Sequence, residues 1–172
     1  MPSTVPVPCA TSRSSRRPDP RATSAASLTA VLIVATTAAC SGGEEVTAAP
    51  RAGESACTAA LAAAPQTVLN RARGSMDVPG VLVWGQDPRI VLRCGLPEPG
   101  PSTLPCLTVE GLDWVIDDTA DPVTAVSYGR SPAVEISMAR VGPTSDLPAA
   151  LVDLAPAARV LPGTGRTCTG RS

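Results

Sequence analysis

Between Val81 and Met138 apolar residues recur at every second position, and this alternation constrains the fold more than any other feature of the chain. A period of two sends successive side chains to opposite sides of a strand, so each such run has one covered face and one wet face. The candidate strands are Val81–Gly85, Arg89–Cys94, Cys106–Val109, Leu112–Asp117, Val123–Tyr128 and Ala133–Met138. The clearest signal is Cys106-Leu107-Thr108-Val109, then Glu110-Gly111, then the run from Leu112. A two-residue turn there pairs Val109 with Leu112 and Leu107 with Trp114 on one face, and sets Thr108 opposite Asp113 on the other. In the last run Val134, Ile136 and Met138 alternate with Ala133, Glu135 and Ser137. Strands half covered in this way belong to an antiparallel sheet.

Helical segments flank the strands. Ser55 is a candidate N-cap for an alanine-rich run that Pro65 interrupts, so residues 55–73 read as one kinked helix or two short ones ending at Gly74. Near the other end, Leu147, Leu151 and Leu154 recur at helical spacing over Asp146–Leu154. The expected architecture is α+β: an antiparallel sheet of about five strands flanked by an N-terminal and a C-terminal helix.

Before the fold comes an address. Arg13, Arg16, Arg17 and Arg21 precede an uncharged stretch, Ala22–Ala39, which ends in small residues and Cys40. A basic segment, a short apolar segment and a small-residue cleavage site make a secretory signal. A retained anchor needs about 20 well-apolar residues, and Thr and Ser dilute this stretch. The sequence Thr37-Ala38-Ala39-Cys40 resembles a bacterial lipobox, with Thr37 where that pattern favours Leu. The resemblance implies that Cys40 is acylated with palmitate-type chains and becomes the first mature residue. Each buried CH₂ adds about 0.8 kcal/mol of membrane affinity, so two or three chains hold a protein stably. The expected organisation is a signal peptide over 1–39, a flexible tether over 40–54 that is poor in apolar side chains, and one extracytoplasmic domain over 55–172.

Composition narrows the chemistry. The 14 basic residues are all arginine and there is no histidine, which removes a Schiff-base or P-loop lysine, the usual triad base and the commonest zinc ligand. Removing the leader takes away four of the 14 arginines and one of the 15 acids, leaving ten against fourteen and a net of −4. A chain so charged has no excess of bases for phosphates, so no nucleic-acid partner is expected, and it has no electrostatic attraction to anionic lipid. Beyond Cys40 the mature chain holds Cys57, Cys94, Cys106 and Cys168, an even number that implies two disulfides in an exported domain, with three possible connectivities. The short Pro- and Gly-rich loop between Cys94 and Cys106 favours a bridge across it, leaving Cys57 to join Cys168. Zinc is disfavoured without histidine or CxxC spacing, and no metal or cofactor is expected.

Candidate sites are few. Leu161-Pro162-Gly163-Thr164-Gly165 matches the pattern cut by sortases, but only seven residues follow it, so it reads as a structural turn. Asp113, Asp117, Asp118 and Asp121 lack the spacing of a calcium loop. Paired carboxylates could support catalysis, yet Glu135 and Asp113 lie in no partner motif. Trp84, Trp114 and Tyr128 are the three aromatic residues, and they fit core filling or, with Arg93 and Arg130, a recognition patch. Arg130 could instead be held by an acid such as Glu135 or Asp113, and the strand position of Arg93 favours an internal salt bridge.

The strings WGQDPRIVLRCG (Trp84–Gly95), VEGLDW (Val109–Trp114), SYGRSPAVEI (Ser127–Ile136), LVDLA (Leu151–Ala155) and LPGTGRTC (Leu161–Cys168), in that order behind a lipobox, resemble the actinobacterial lipoprotein family known as domain of unknown function 3515. The resemblance spans roughly Ser55 to Cys168 and implies an envelope lipoprotein without an assigned activity. The function expected is that of a non-enzymatic, lipid-anchored protein on the outer face of the cytoplasmic membrane, with a binding or a purely structural role. Its expected partners are the membrane, through the N-terminal lipid, and an envelope protein or wall component. The alternative is a hydrolase or transferase that acts on envelope polymers through carboxylates.

Overall fold

A computed structural model of the chain describes residues 45–86, 89–119, 121–140 and 146–169; the expected signal segment and Cys40 lie outside the described residues. Helix α1 (Ser55–Ala63) forms from alanine, the best helix former, and ends before Pro65. Its N-cap is Glu54, one residue before the expected Ser55.

The expected second helical turn is absent. Residues 67–72 instead form a small hairpin, β1 (Thr67–Val68) with β2 (Arg71–Ala72). Its two central residues, Leu69 at φ 48° and Asn70 at φ 61°, are both left-handed, as the tightest hairpin turn requires. Oδ2 of Asp153 accepts the Leu69 N–H at 2.9 Å, and Val68 is fully buried. A helix over the same residues would lose that burial, so tertiary packing overrides a locally helical pattern.

The main sheet has six antiparallel strands, one more than expected: β3 (Val81–Trp84), β4 (Ile90–Leu96), β5 (Cys106–Val109), β6 (Leu112–Asp117), β7 (Val123–Tyr128) and β8 (Ala133–Met138). Their spatial order is β3-β4-β8-β7-β6-β5. The β5–β6 hairpin has the expected register, Val109 with Leu112, Thr108 with Asp113 and Leu107 with Trp114. After the β3–β4 hairpin the chain crosses to the far edge, and β5 to β8 return as a meander until β8 pairs with β4.

Helices α1 and α2 (Leu147–Arg159) cover one face of this sheet. Helix α2 runs five residues beyond the expected end and passes through Pro156. An interior proline costs roughly 3 kcal/mol; burial of Ala155, Ala157 and Ala158 around it offsets that loss. Trp84, Leu92, Trp114, Ile136, Leu151 and Leu154 meet between the layers with no exposed surface. The opposite face carries Val81, Val83, Val91, Arg93, Glu135, Ser137, Tyr128 and Asp113 and has no helix over it.

The N-terminal approach is held more firmly than a tether. Val46 packs on the small apolar cluster of Val81, Val83 and Val91, and Ala49 is buried. The Arg51 N–H donates to Gly95 O at 2.9 Å, and its Nη1 donates to Ser131 Oγ at 2.8 Å. Residues 49–54, expected in the tether, therefore belong to the folded domain.

The cysteine pairing also differs from expectation. Cys57 bridges Cys94, and Cys106 bridges Cys168. Strand order explains why Cys94 and Cys106 do not meet. Three strands separate β4 from β5, so at about 4.8 Å per strand they stand roughly 19 Å apart. A disulfide spans at most about 7 Å between Cα atoms. Cys94 points to the helix side and meets Cys57 of α1, whereas Cys106 points to the open side, where the C-terminal segment brings Cys168.

Candidate functional site

Two cavities open on the helix-free side of the sheet. The first, of about 590 Å³, has a floor of Val91 and Arg93 from β4 and Glu135 and Ser137 from β8. The N-terminal segment at Glu45, Val46 and Thr47 lines it, as do Gln86 and Arg89 of the β3–β4 hairpin and Asp121 and Pro122 at the start of β7. Alternation puts Arg93 and Glu135 at paired register positions with both side chains on this face. Nη2 of Arg93 lies 3.0 Å from Oε1 of Glu135, with 28% and 20% of the two side chains exposed. The Arg93 Nε is buried and has no hydrogen-bond partner among the described residues.

The second cavity, of about 530 Å³, lies between the loop Pro101–Cys106 and the C-terminal segment Thr167–Thr169, with Tyr128 and Val115 on its floor. Asp113 pins that segment. Its Oδ2 accepts the Cys168 N–H at 2.8 Å while Oδ1 accepts from Thr108 Oγ1 at 2.6 Å.

The structure separates the residues of the expected recognition patch. Trp84 and Trp114 are in the core on the helix side, across the sheet from Arg93. Trp84 donates from Nε1 to Pro65 O at 3.1 Å. Arg93 and Tyr128 share the open face but line different cavities. Arg130 is occupied structurally: its Nη1 donates to Leu161 O at 2.8 Å, and its backbone bridges Gly163. That bond, with Ser131 N–H on Pro162 O and Thr164 N–H on Gly129 O, makes the Leu161–Gly165 segment a turn fastened to the β7–β8 connection.

An arginine–aromatic contact does form, at a residue the sequence reading missed. The Arg73 guanidinium lies 5.8 Å from the Trp84 ring centroid, with Nη2 donating to Pro65 O at 3.0 Å. Position 73 looked like the end of a helix, and the hairpin that redirects it has no local periodicity to announce it. Glu45, Val46 and Thr47 escape the sequence for a similar reason, since a stretch with so few apolar side chains reads as a tether.

Of the acids named for calcium, the carboxylates of Asp113, Asp117 and Asp121 accept hydrogen bonds, and Asp118 accepts one from Arg140 through its backbone oxygen. Asp121 Oδ1 takes the Arg140 N–H at 3.0 Å. Asp117 Oδ1 takes both the N–H and the hydroxyl of Thr119, and these bonds, the hydroxyl first, hold its carboxyl below the ordinary aspartate value. Among the described residues no group of three or more Cys, Asp or Glu is placed to hold a metal, and no helix is long and apolar enough to cross a membrane.

A six-stranded antiparallel sheet with two helices on one side and two disulfides defines a two-layer α+β domain whose open side carries its cavities. The chain belongs to the family described as protein of unknown function (DUF3515), which it matches over residues 22–162. No curated protein and no solved structure matches it.

Proposed function

We propose that this chain is exported, acylated at Cys40 and held on the outer face of the cytoplasmic membrane, where it acts by binding an envelope component. The observation that carries this reading is the pairing of Cys57 with Cys94 and Cys106 with Cys168 behind a leader that ends in Ala39-Cys40. Structural disulfides persist in oxidising compartments and are rare in the cytosol, and the leader supplies the route there. Binding is supported by the open-face cavity, whose 590 Å³ lies within the range of about 300–1,000 Å³ usual for ligand sites.

The catalytic alternative would pair Glu135 with Asp113. They sit on β8 and β6, with β7 between them, and their register differs by two residues. Their Cα atoms are therefore about 12 Å apart from strand spacing and rise. Glu135 faces Arg93, and Asp113 accepts from Thr108 and Cys168. Both carboxylates have structural work, which favours binding.

Metabolic acyl labelling and membrane fractionation of the full chain and of Cys40→Ala test the anchoring. Labelling and membrane retention should vanish in the variant; labelling that persists overturns the assignment to Cys40. Crosslinking in intact cells, followed by identification of the captured envelope component, tests the binding role.

A further inference from the structure

The open-face cleft begins where the N-terminal segment joins the fold, at Glu45 to Thr47 on its rim. Only five residue steps separate Glu45 from Cys40, and at about 3.6 Å per residue they span at most roughly 18 Å. If Cys40 is acylated, the cleft cannot leave the neighbourhood of the bilayer surface. This part of the inference rests on the lipid-anchor reading above.

The charges of the cleft specify what it would take there. It is lined by two arginines, Arg89 and Arg93, and three acids, Glu45, Asp121 and Glu135. A purely anionic head group would meet more acids than bases in the cleft and a mature chain of net charge −4, obtained from ten Arg against fourteen Asp and Glu. A purely cationic ligand would meet a guanidinium on the floor. A zwitterion matches both. The Arg93 and Glu135 groups stand side by side, each partly exposed to the cleft, and one contact uses at most one of the guanidinium's five N–H donors and one carboxylate oxygen. An anionic oxygen can add to the fork while an ammonium meets Glu135, Asp121 or Glu45.

We propose that this cleft binds a zwitterion carrying an anionic oxo group and an ammonium, and that its source is the phosphoethanolamine head group of a membrane lipid. Proximity to Cys40 selects the lipid over the other source of the same chemistry, a soluble amino acid or peptide. No covalent step is involved. The bilayer supplies the ligand at high local concentration, so weak intrinsic affinity suffices.

The test is calorimetric titration of the full chain, purified from membranes in detergent, with glycerophosphoethanolamine, glycerophosphoglycerol and glycylglycine. Glycerophosphoethanolamine should bind at least about tenfold more tightly than the other two, because glycerophosphoglycerol lacks the ammonium and glycylglycine, itself a zwitterion, sets its charges at the two ends of a peptide rather than across a phosphodiester. Arg93→Gln and Glu135→Gln should each weaken it by about tenfold. Glu45→Lys changes the exposed rim without disturbing the core and should weaken it severalfold; this variant keeps the test decisive if the floor variants fail to fold. Equal or tighter binding of glycerophosphoglycerol would show a plain anion site, and equal or tighter binding of glycylglycine would show a soluble zwitterion as the ligand. Either result overturns the proposal, as does an absence of glycerophosphoethanolamine binding or binding indifferent to these variants. The titration reports on the cleft whether or not Cys40 carries a lipid. A failed titration with intact acyl labelling therefore overturns the cleft assignment alone, and lost labelling overturns the anchor.

Discussion

Arg93 on β4 and Glu135 on β8 occupy paired register positions of neighbouring strands, and their charged groups approach to 3.0 Å on the helix-free face. The pairing joins two strands whose sequence positions are far apart, so this ion pair also marks where the returning meander closes against the first hairpin.

The exposure of the pair, 28% and 20%, sets its energetic scale. Exposed pairs are worth roughly 0–1 kcal/mol, whereas removing one partner of a fully buried pair costs about 3–5 kcal/mol. Arg93→Gln or Glu135→Gln should therefore destabilise by about 1–3 kcal/mol. The double variant should lose less than the sum, because neither charge is then left alone. Urea denaturation of the four proteins measures this, and strict additivity would show that the pair is not coupled.

Peptide mapping without reductant should recover Cys57 joined to Cys94 and Cys106 joined to Cys168. The first bridge closes a separation of 37 residues, and chain entropy assigns such a closure about 4 kcal/mol. Replacing both cysteines by serine should lower stability by that order. A disulfide joining Cys94 to Cys106 would contradict the strand order itself.

Gly95 is at φ +110°, and a Cβ there would come within 2.8 Å of Ala52 Cα. Gly95→Ala should expel residues 51–54 from their seat and cost at least about 2 kcal/mol. Gly100→Ala, with nothing within 4 Å of the added carbon, should stay within about 0.5 kcal/mol of the parent. If Gly95→Ala is equally silent in thermal melting, the N-terminal segment does not pack as described.

Asp117 titrates below its ordinary value because the Thr119 hydroxyl and then the Thr119 N–H donate to it. A folded-state pKa that is depressed contributes stability above the unfolded pKa, and that contribution is lost as pH falls through the folded pKa. Thr119→Val removes the larger cause and should move the carboxyl midpoint upward in an NMR titration, with part of the depression retained through the N–H. An unchanged midpoint would reject the hydroxyl as the cause.

Legibility followed the range of the interactions. The β5–β6 hairpin could be read to the residue because a two-residue turn and a period of two leave one register open, and β7 and β8 have the expected bounds. Residues 66–73 could not. Their composition permits a helix, and what makes them a hairpin is the pocket that receives Val68 and the Asp153 carboxylate that holds Leu69. An ion pair for Arg93 could be expected from its strand position, but that Glu135 is the partner required the β4–β8 register. Arg130, for which Glu135 or Asp113 was the expected acid, donates to Leu161 O instead.

The sequence by itself determined an antiparallel sheet flanked by two helices, though with about five strands where the fold has six, the two faces of its strands, and an even set of cysteines that pair as two disulfides. These follow from side-chain period and from residue types, which are local properties. Only the tertiary structure decided that β5 lies at the far edge, that Cys94 meets Cys57, that Trp84 and Trp114 face away from Arg93, and that Glu45 rims a cleft. Alternation states which side of a strand is covered. It carries no information about which strand lies beside which, because backbone hydrogen bonds are alike along every edge. Neighbours are selected by the joint burial of residues distant in the chain, and the disulfides and the cleft inherit that choice.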